Sequence, residues 1–204
     1  MKRFSPNISM ENPALQKQDM QIYCIRLIPS SGYSNFKRNP RFAEIFTIVF
    51  SRIVSLCEKS DCAHILQHSN HIIIAFNVTE NSKTKNNNAF IHDFVVALNI
   101  IILQINKELE HRSFPFTVKA FLAADQGNIL MERKFIKHPL CNSCLWLGET
   151  IERATALSDI AGTGKYPPLL ITHTIFAQLD AKFKNSFNKN YYYRHMCCYG
   201  CSSF

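Results

Sequence analysis

The sequence predicts an α/β fold, an α+β sandwich in which helices pack on a β-sheet, and three observations lead to that class. The chain has 204 residues, 47% hydrophobic and 19% charged, which is typical of one globular domain with its own core. Short apolar, β-branched runs alternate with longer segments whose apolar residues recur every three or four positions. The resulting order, β-α-β-β-α-β-β-α-β-α, mixes strands and helices along the whole chain.

The first half of the chain follows this order after a polar leader, residues 1–19, which we expect to be flexible. A hairpin is expected where Ser69 and Asn70 separate two apolar runs. The predicted elements are a buried strand at 21–28, an amphipathic helix at 41–58, hairpin strands at 63–67 and 71–76, and a long helix at 89–110.

The second half begins with a strand that we expect to turn at Asp125, Gln126 and Gly127, because this composition is typical of turns. The predicted elements are strands at 116–124 and 128–132, a strand entering a helix at 145–157, a strand at 169–172 and a closing helix at 174–180. The chain thus divides into the leader 1–19, one domain at 20–180, and a tail, 181–204, that we expect to be solvated.

The charge of the chain limits the class of partner. Lys and Arg number 23 and Asp and Glu 15, a net charge of +8, which favours a nucleotide, nucleic acid or acidic membrane, or simply a basic surface. The longest apolar run, 94–105, is interrupted by Asn99 and Gln104, whereas a membrane span needs about 20 mostly apolar residues. The N-terminal segment lacks an apolar signal core, so we expect a cytoplasmic protein with reduced thiols.

The cysteines and the tail suggest two further sites. Two C-x-x-C pairs, Cys141 with Cys144 and Cys198 with Cys201, could together hold a structural zinc ion if the tail folds back, or could be unconnected thiols. The tail also interleaves Lys and Arg with Phe and Tyr, a composition found in proteins that bind single-stranded nucleic acid or a membrane surface.

One segment resembles a known family. The run Leu147 to Leu157, LGETIERATAL, resembles the G-D-x-V-N-x-A-x-R-L segment of the class III nucleotidyl cyclase catalytic domain, and Ala124 to Gly127 resembles its glycine turn before the dimerisation arm. Residues 160–179 are similar to its closing strand and helix. The resemblance covers about 20–180 and is nearest to the compact bacterial branch, which includes pyrimidine cyclases. It implies a ferredoxin-like fold with a mixed, mainly antiparallel sheet, and a homodimer or a heterodimer with a cyclase-like chain.

The resemblance also implies a site in which two carboxylates hold Mg²⁺ or Mn²⁺ while an Asn and an Arg from the second subunit orient the ribose and stabilise the phosphorus. Each of the four positions is substituted here. Arg26 and Asn70 stand where the carboxylates belong, and their separation of 44 residues suits the family (70 − 26). Glu152 and Ala156 stand at the Asn and Arg positions. The resemblance therefore implies a pseudo-enzyme with no intact catalytic residue.

The positions that would select the base are apolar as well, which argues against reading a purine by hydrogen bonds. Arg26 could hold a phosphate in place of the metal, or could pair with Glu152 or another carboxylate at a dimer interface. The candidate nucleotide-binding residues are Arg26, Asn70, Leu66, Leu145 and Arg153.

Three functions remain open. The first is a regulatory module that binds an NTP or a partner domain. The second is an active cyclase making a cyclic mononucleotide from an NTP, which requires a different metal-binding pair, such as Asp125 with Glu149 or Glu152. The third is a basic nucleic-acid-binding or interaction protein held together by zinc.

Overall fold

The structure is a computed structural model that describes residues 15–30, 40–58, 62–78, 87–114, 116–132, 146–187 and 189–202. The strands are β1 (Leu15–Pro29), β2 (Cys62–His68), β3 (His71–Asn77), β4 (Val118–Glu132), β5 (Trp146–Leu147), β6 (Leu169–Thr172), β7 (Lys189–Tyr193) and β8 (Met196–Cys201). The helices are α1 (Pro40–Glu58), α2 (Asn87–His111), α3 (Glu149–Ile160), α4 (His173–Gln178) and α5 (Ala181–Lys184).

The strands form one sheet in the order β2-β3-β1-β4-β6-β8-β7, and β5 pairs with the far end of β4. All pairs are antiparallel except β4 with β6, which run parallel. A parallel neighbour requires a crossover connection, and here the crossover contains α3. The predicted α/β sandwich with a mixed, mainly antiparallel sheet is confirmed.

Helices cover both faces of the sheet. Because successive strand residues point to opposite sides, β1 sends Tyr23 and Ile25 to what we call the first face and Ile22 and Cys24 to the second face. The first face packs against the apolar stripes of α1 and α2 and against α4. The second face packs against α3, whose Ala154 is fully buried there. The helices predicted at 41–58 and 89–110 are confirmed as α1 and α2.

The predicted turn at Asp125, Gln126 and Gly127 is wrong, because β4 runs through these residues without a break. β1 and β4 pair over 15 residues each, and this pairing places Asp125 opposite Ile22. Gly127 instead allows α3 to approach the sheet, since a Cβ there would lie 2.7 Å from Thr150 Oγ1.

The predicted solvated tail is also wrong. Residues of 181–204 form α5 and the β7–β8 hairpin, and β8 extends the sheet by pairing with β6. At the other end of the chain β1 begins at Leu15, so residues 15–19 belong to the sheet, whereas 1–14 lie outside the described residues. Within the described ranges, no helix has both the length and the apolar character needed to cross a bilayer.

Candidate functional site

The end of β1 and the β2–β3 turn lie side by side, so the structure brings Arg26 and Asn70 together. Arg26 stands opposite His71, the first residue of β3. Asn70 is buried in the turn, where its carbonyl accepts a hydrogen bond from the Leu27 amide at 3.0 Å. Its side-chain amide donates to the Leu27 carbonyl at 3.2 Å. Asn70 therefore fastens the turn to β1.

Arg26 points from β1 onto the second face, towards the C-terminal end of α3. Its Nη2 donates to the Ala161 carbonyl at 2.7 Å, and its guanidinium carbon lies 5.1 Å from the centre of the Phe121 ring. A cation is favourable at a helix C-terminus, where carbonyls are left without intrahelical donors. The side chain is half-buried, and these contacts hold it against the chain's own helix.

Two further side-chain pairs join the same strand ends to α3. Cys24 Sγ lies 3.2 Å from Ser158 Oγ, and burial raises the pKa of the Cys24 thiol to about 11. His71 Nε2 lies 3.0 Å from Asp159 Oδ1. Burial lowers the pKa of His71, and the neighbouring Asp159 only partly opposes this. We call these two pairs and the Arg26 bond the α3 clasp.

A buried ion pair anchors the N-terminal half of α3. Asp125 is fully buried, and its two carboxylate oxygens accept hydrogen bonds from Thr172 Oγ1 at 2.6 Å and Arg153 Nε at 2.7 Å. Arg153 Nη1 also lies 2.9 Å from Glu149. Burial acts to lower the pKa of Arg153, but the two carboxylates outweigh burial and raise it. Asp125 and Glu149 are thus both engaged by one arginine rather than facing each other across an open site.

The residue expected at a base-selecting position, Leu66, lies in an apolar part of the second face. It is half-buried on β2 and packs in the cluster that contains Trp146 and Ile151. The His64 ring stands edge-on to the Trp146 ring, with centres 5.7 Å apart. Leu145 lies outside the described residues. The described side chains that pack around Leu66 are mainly apolar.

Among the comparisons with known proteins, the matches come from solved structures. No protein-family model matches the chain, and no curated protein matches it in sequence. The solved structure of the adenylyl cyclase CyaB from P. aeruginosa superimposes with a TM-score of 0.69 at 9% identity, over 92% of this chain and 95% of that chain. The guanylyl cyclase Cya2 gives 0.68 at 9%, over 92% and 93%. Adenylate cyclases from Trypanosoma brucei in their monomeric state give 0.60 at 12%, over 95% and 92%.

The chain has the fold of a nucleotidyl cyclase domain. This agrees with the resemblance seen in the sequence, and at these identities the likeness shows the fold alone.

In this cyclase fold, the two positions expected to contact ribose and phosphorus lie on α3. Glu152 is exposed and Ala156 is half-buried, and they are one helical turn apart. Arg153, between them, points to Asp125 instead. Five of the positions singled out by the resemblance are described. Glu152 is an exposed carboxylate, and Ala156 and Leu66 are apolar. Arg26 and Asn70 are hydrogen-bonded within the chain.

The geometry of the tail argues against a shared zinc ion at Cys198 and Cys201. These residues are three apart in β8, so their side chains lie on opposite faces of the cyclase-fold sheet: Cys198 packs on the second face and Cys201 on the first. Burial raises the pKa of Cys198 to about 11. Cys141 and Cys144 lie outside the described residues. Across the part of the chain that the structure describes, no three His, Cys, Asp or Glu side chains group closely enough to hold a metal.

Sequence reasoning missed the α3 clasp. The clasp joins residues separated by 88 to 135 positions along the chain. No local spacing signals such pairs, and only the packing of α3 on the second face reveals them.

Proposed function

We propose that this chain is a catalytically silent protein of the nucleotidyl cyclase fold that regulates by pairing with a second cyclase-like domain. The observation that carries the proposal is the identity and bonding of the residues at the end of β1 and in the β2–β3 turn. Arg26 and Asn70 occupy the places where the resemblance puts two metal-binding carboxylates, and both are hydrogen-bonded within the chain.

These residues do not fit a Mg²⁺ or Mn²⁺ site. Hard divalent cations take several oxygen ligands, at least some of them carboxylates. The Arg26 guanidinium keeps its positive charge at all ordinary pH values and repels a cation. The Asn70 amide offers one neutral oxygen, while its nitrogen is committed to Leu27. The donor set therefore supports a module that does not catalyse metal-dependent cyclisation.

The bonding of Arg26 favours partner binding over nucleotide binding. To hold a phosphate in place of the metal, its guanidinium would have to give up or share the 2.7 Å bond to the Ala161 carbonyl and move off the Phe121 ring. The nearby Asp159 carboxylate, held by His71, adds a negative charge that opposes a phosphate. The apolar cluster around Leu66 supports the same preference.

The proposed regulatory effect is inhibitory. In a mixed dimer, one composite site would combine an active partner's carboxylates with Glu152 and Ala156 of this chain, and the other would combine Arg26 and Asn70 with the partner's ribose-binding residues. Both sites would be incomplete. Leu130 and Leu147, which stand opposite each other in the β4–β5 pairing and are 40% and 48% exposed, offer apolar surface for such pairing.

The test measures product formation from ATP, GTP, UTP and CTP with Mn²⁺, together with Mn²⁺ binding by calorimetry. We expect no turnover and no Mn²⁺ binding by the wild type. The variant Arg26→Asp/Asn70→Asp should gain Mn²⁺ binding because it restores two carboxylates at adjacent places. The matched variant Arg112→Asp/Asn128→Asp makes the same charge change at exposed positions and should gain none.

The regulatory effect is measured by mixing this chain with an active cyclase domain. An active domain of the same fold should lose activity as this chain is added, and Leu130→Gln/Leu147→Gln should weaken the inhibition. Turnover by the wild type, abolished when Glu149 or Asp125 is neutralised, would overturn the proposal.

A further inference from the structure

Three tyrosine rings gather where the β7–β8 hairpin meets the loop that follows α3. Tyr166 of the loop contacts both Tyr191 and Tyr193 of β7, with ring centres 5.7 and 6.3 Å apart. Tyr191 is buried at the bottom of the group, whereas Tyr166 and Tyr193 are half-buried and expose part of their rings. The rings lie on the second face, beyond the end of α3.

Each of these rings has a cation above it. Lys165 lies 5.4 Å from the centre of the Tyr166 ring, Lys189 lies 5.4 Å from that of Tyr191, and Arg194 lies 5.2 Å from that of Tyr193. All three charged side chains are exposed. We call the six residues together the tyrosine–cation surface.

The charged side chains of this surface are all positive. Residues 160–204 carry five Lys or Arg side chains and one carboxylate, Asp180; three of the five cations belong to the surface, whereas Lys182 and Lys184 lie in α5 beside Asp180. Asp180 follows Leu179, which packs on the first face, on the other side of the sheet from the tyrosines. The carboxylate just before the segment, Asp159, is engaged by His71. The surface therefore attracts a polyanion.

Close packing makes the surface a preformed one. The Tyr166 hydroxyl donates to the Tyr192 carbonyl at 3.0 Å and ties the loop to β7. Gly200 of β8 lies directly under both parts. A Cβ at this position would come within 2.3 Å of Pro167 Cγ and 2.7 Å of the Tyr191 ring. Only a glycine lets the loop and the hairpin come this close.

The hairpin tip carries a cation at a strained position. Arg194 and His195 form the two-residue turn, with φ of 45° and 68°. Such turns strongly prefer Asn-Gly, because non-glycine residues at positive φ are disfavoured. Strained backbone that keeps a charged side chain in place is a feature of functional sites. Here the strained turn holds Arg194 over Tyr193.

We propose that the tyrosine–cation surface binds single-stranded nucleic acid. Lys165, Lys189 and Arg194 contact phosphates, and a cation drawn to a phosphate uncovers the Tyr166 or Tyr193 ring for a base to stack on. A duplex keeps its bases stacked and offers these rings nothing. An anionic membrane favours Trp, Phe and Leu for insertion, and the surface presents phenols instead. The inference does not depend on the proposed regulatory function.

The test is fluorescence anisotropy of a labelled single strand of about 16 nucleotides, RNA or DNA, against its duplex, in about 50 to 200 mM salt. We expect tighter binding of the single strand. Lys165→Gln/Lys189→Gln/Arg194→Gln should weaken it about tenfold at low salt and reduce the slope of log affinity against log salt by about 2. The matched control Lys17→Gln/Lys107→Gln/Lys182→Gln removes the same charge from exposed positions elsewhere and should keep most of the affinity.

Three further variants separate the contribution of base stacking, and the role of the turn in binding, from effects on folding. Tyr166→Leu and Tyr193→Leu should each lower affinity about fivefold with an unchanged salt slope. Arg194→Asn/His195→Gly should raise the melting temperature and weaken binding, a combination that a purely structural turn would not show. The proposal is overturned if the duplex binds as tightly as the single strand, if the control triple variant loses as much affinity, or if the wild type binds phosphatidylserine vesicles but no oligonucleotide.

Discussion

Removing the cation from the Asp125–Arg153 pair tests how α3 is held on the sheet. Arg153→Met keeps most of the side-chain volume but leaves the fully buried Asp125 carboxylate with only the Thr172 hydroxyl. Breaking a buried ion pair by deleting one partner costs about 3–5 kcal/mol. Because the Arg153 side chain is 28% exposed and water reaches it, we expect the lower end, about 3 kcal/mol. In a chain of this size that lowers the melting temperature by about 10 °C.

The assay is thermal and urea unfolding at pH 7.5. Adding Asp125→Asn to Arg153→Met should restore part of the lost stability. Arg112→Met, which removes an exposed pair with Glu44 at 3.5 Å, serves as the control and should cost about 0–1 kcal/mol. A loss of stability in Arg153→Met no larger than that in Arg112→Met, or an equal loss in the double variant, would refute the reasoning.

Two further predictions concern the α3 clasp and the tail. Burial lowers the pKa of His71 below its unfolded value, so the unfolded chain binds the proton first and stability falls as the pH drops below about 6.5. Unfolding curves should therefore show that the wild type loses more stability than His71→Gln between pH 7.5 and pH 5. Asp159→Asn should enlarge the loss because it removes the charge that favours protonated His71. An equal dependence of stability on pH in wild type and His71→Gln would contradict this. Gly200→Ala should destabilise by about 2 kcal/mol because its Cβ meets Pro167. A Cβ at Gly164 would meet no atom within 4 Å, so Gly164→Ala should cost only about 1 kcal/mol, from backbone strain at its φ of 55°. A larger loss of stability in Gly164→Ala than in Gly200→Ala would contradict this.

The elements that could be predicted from the sequence are those whose signal is local. The apolar stripes of α1 and α2 repeat every three or four residues over 19 and 25 residues, and the helices follow them. The hairpin around Asn70 has apolar strands and a turn residue. The prediction of a turn within β4 was wrong because Asp125 and Gly127 are typical turn residues. In the folded chain, pairing with β1 and the hydrogen bond from Arg153 to Asp125 make a continuous strand more favourable. The β7–β8 hairpin was not predicted because Arg194 and His195 are not residues typical of a two-residue turn.

Local patterns and the family resemblance were sufficient to predict the kind of fold and the order of most elements up to α4. The resemblance also implied that Arg26 and Asn70 stand at the metal-binding positions of a cyclase. This assignment of Arg26 and Asn70 rests on chain position and residue type alone, and it stays a prediction. The contacts of these residues are visible only in the tertiary structure. Arg26 bonds a carbonyl 135 positions away, and Tyr166 meets the strand that carries Tyr191 and Tyr193. Such contacts arise from the packing of helices and loops on the two faces of one sheet, which local spacing along the chain does not encode.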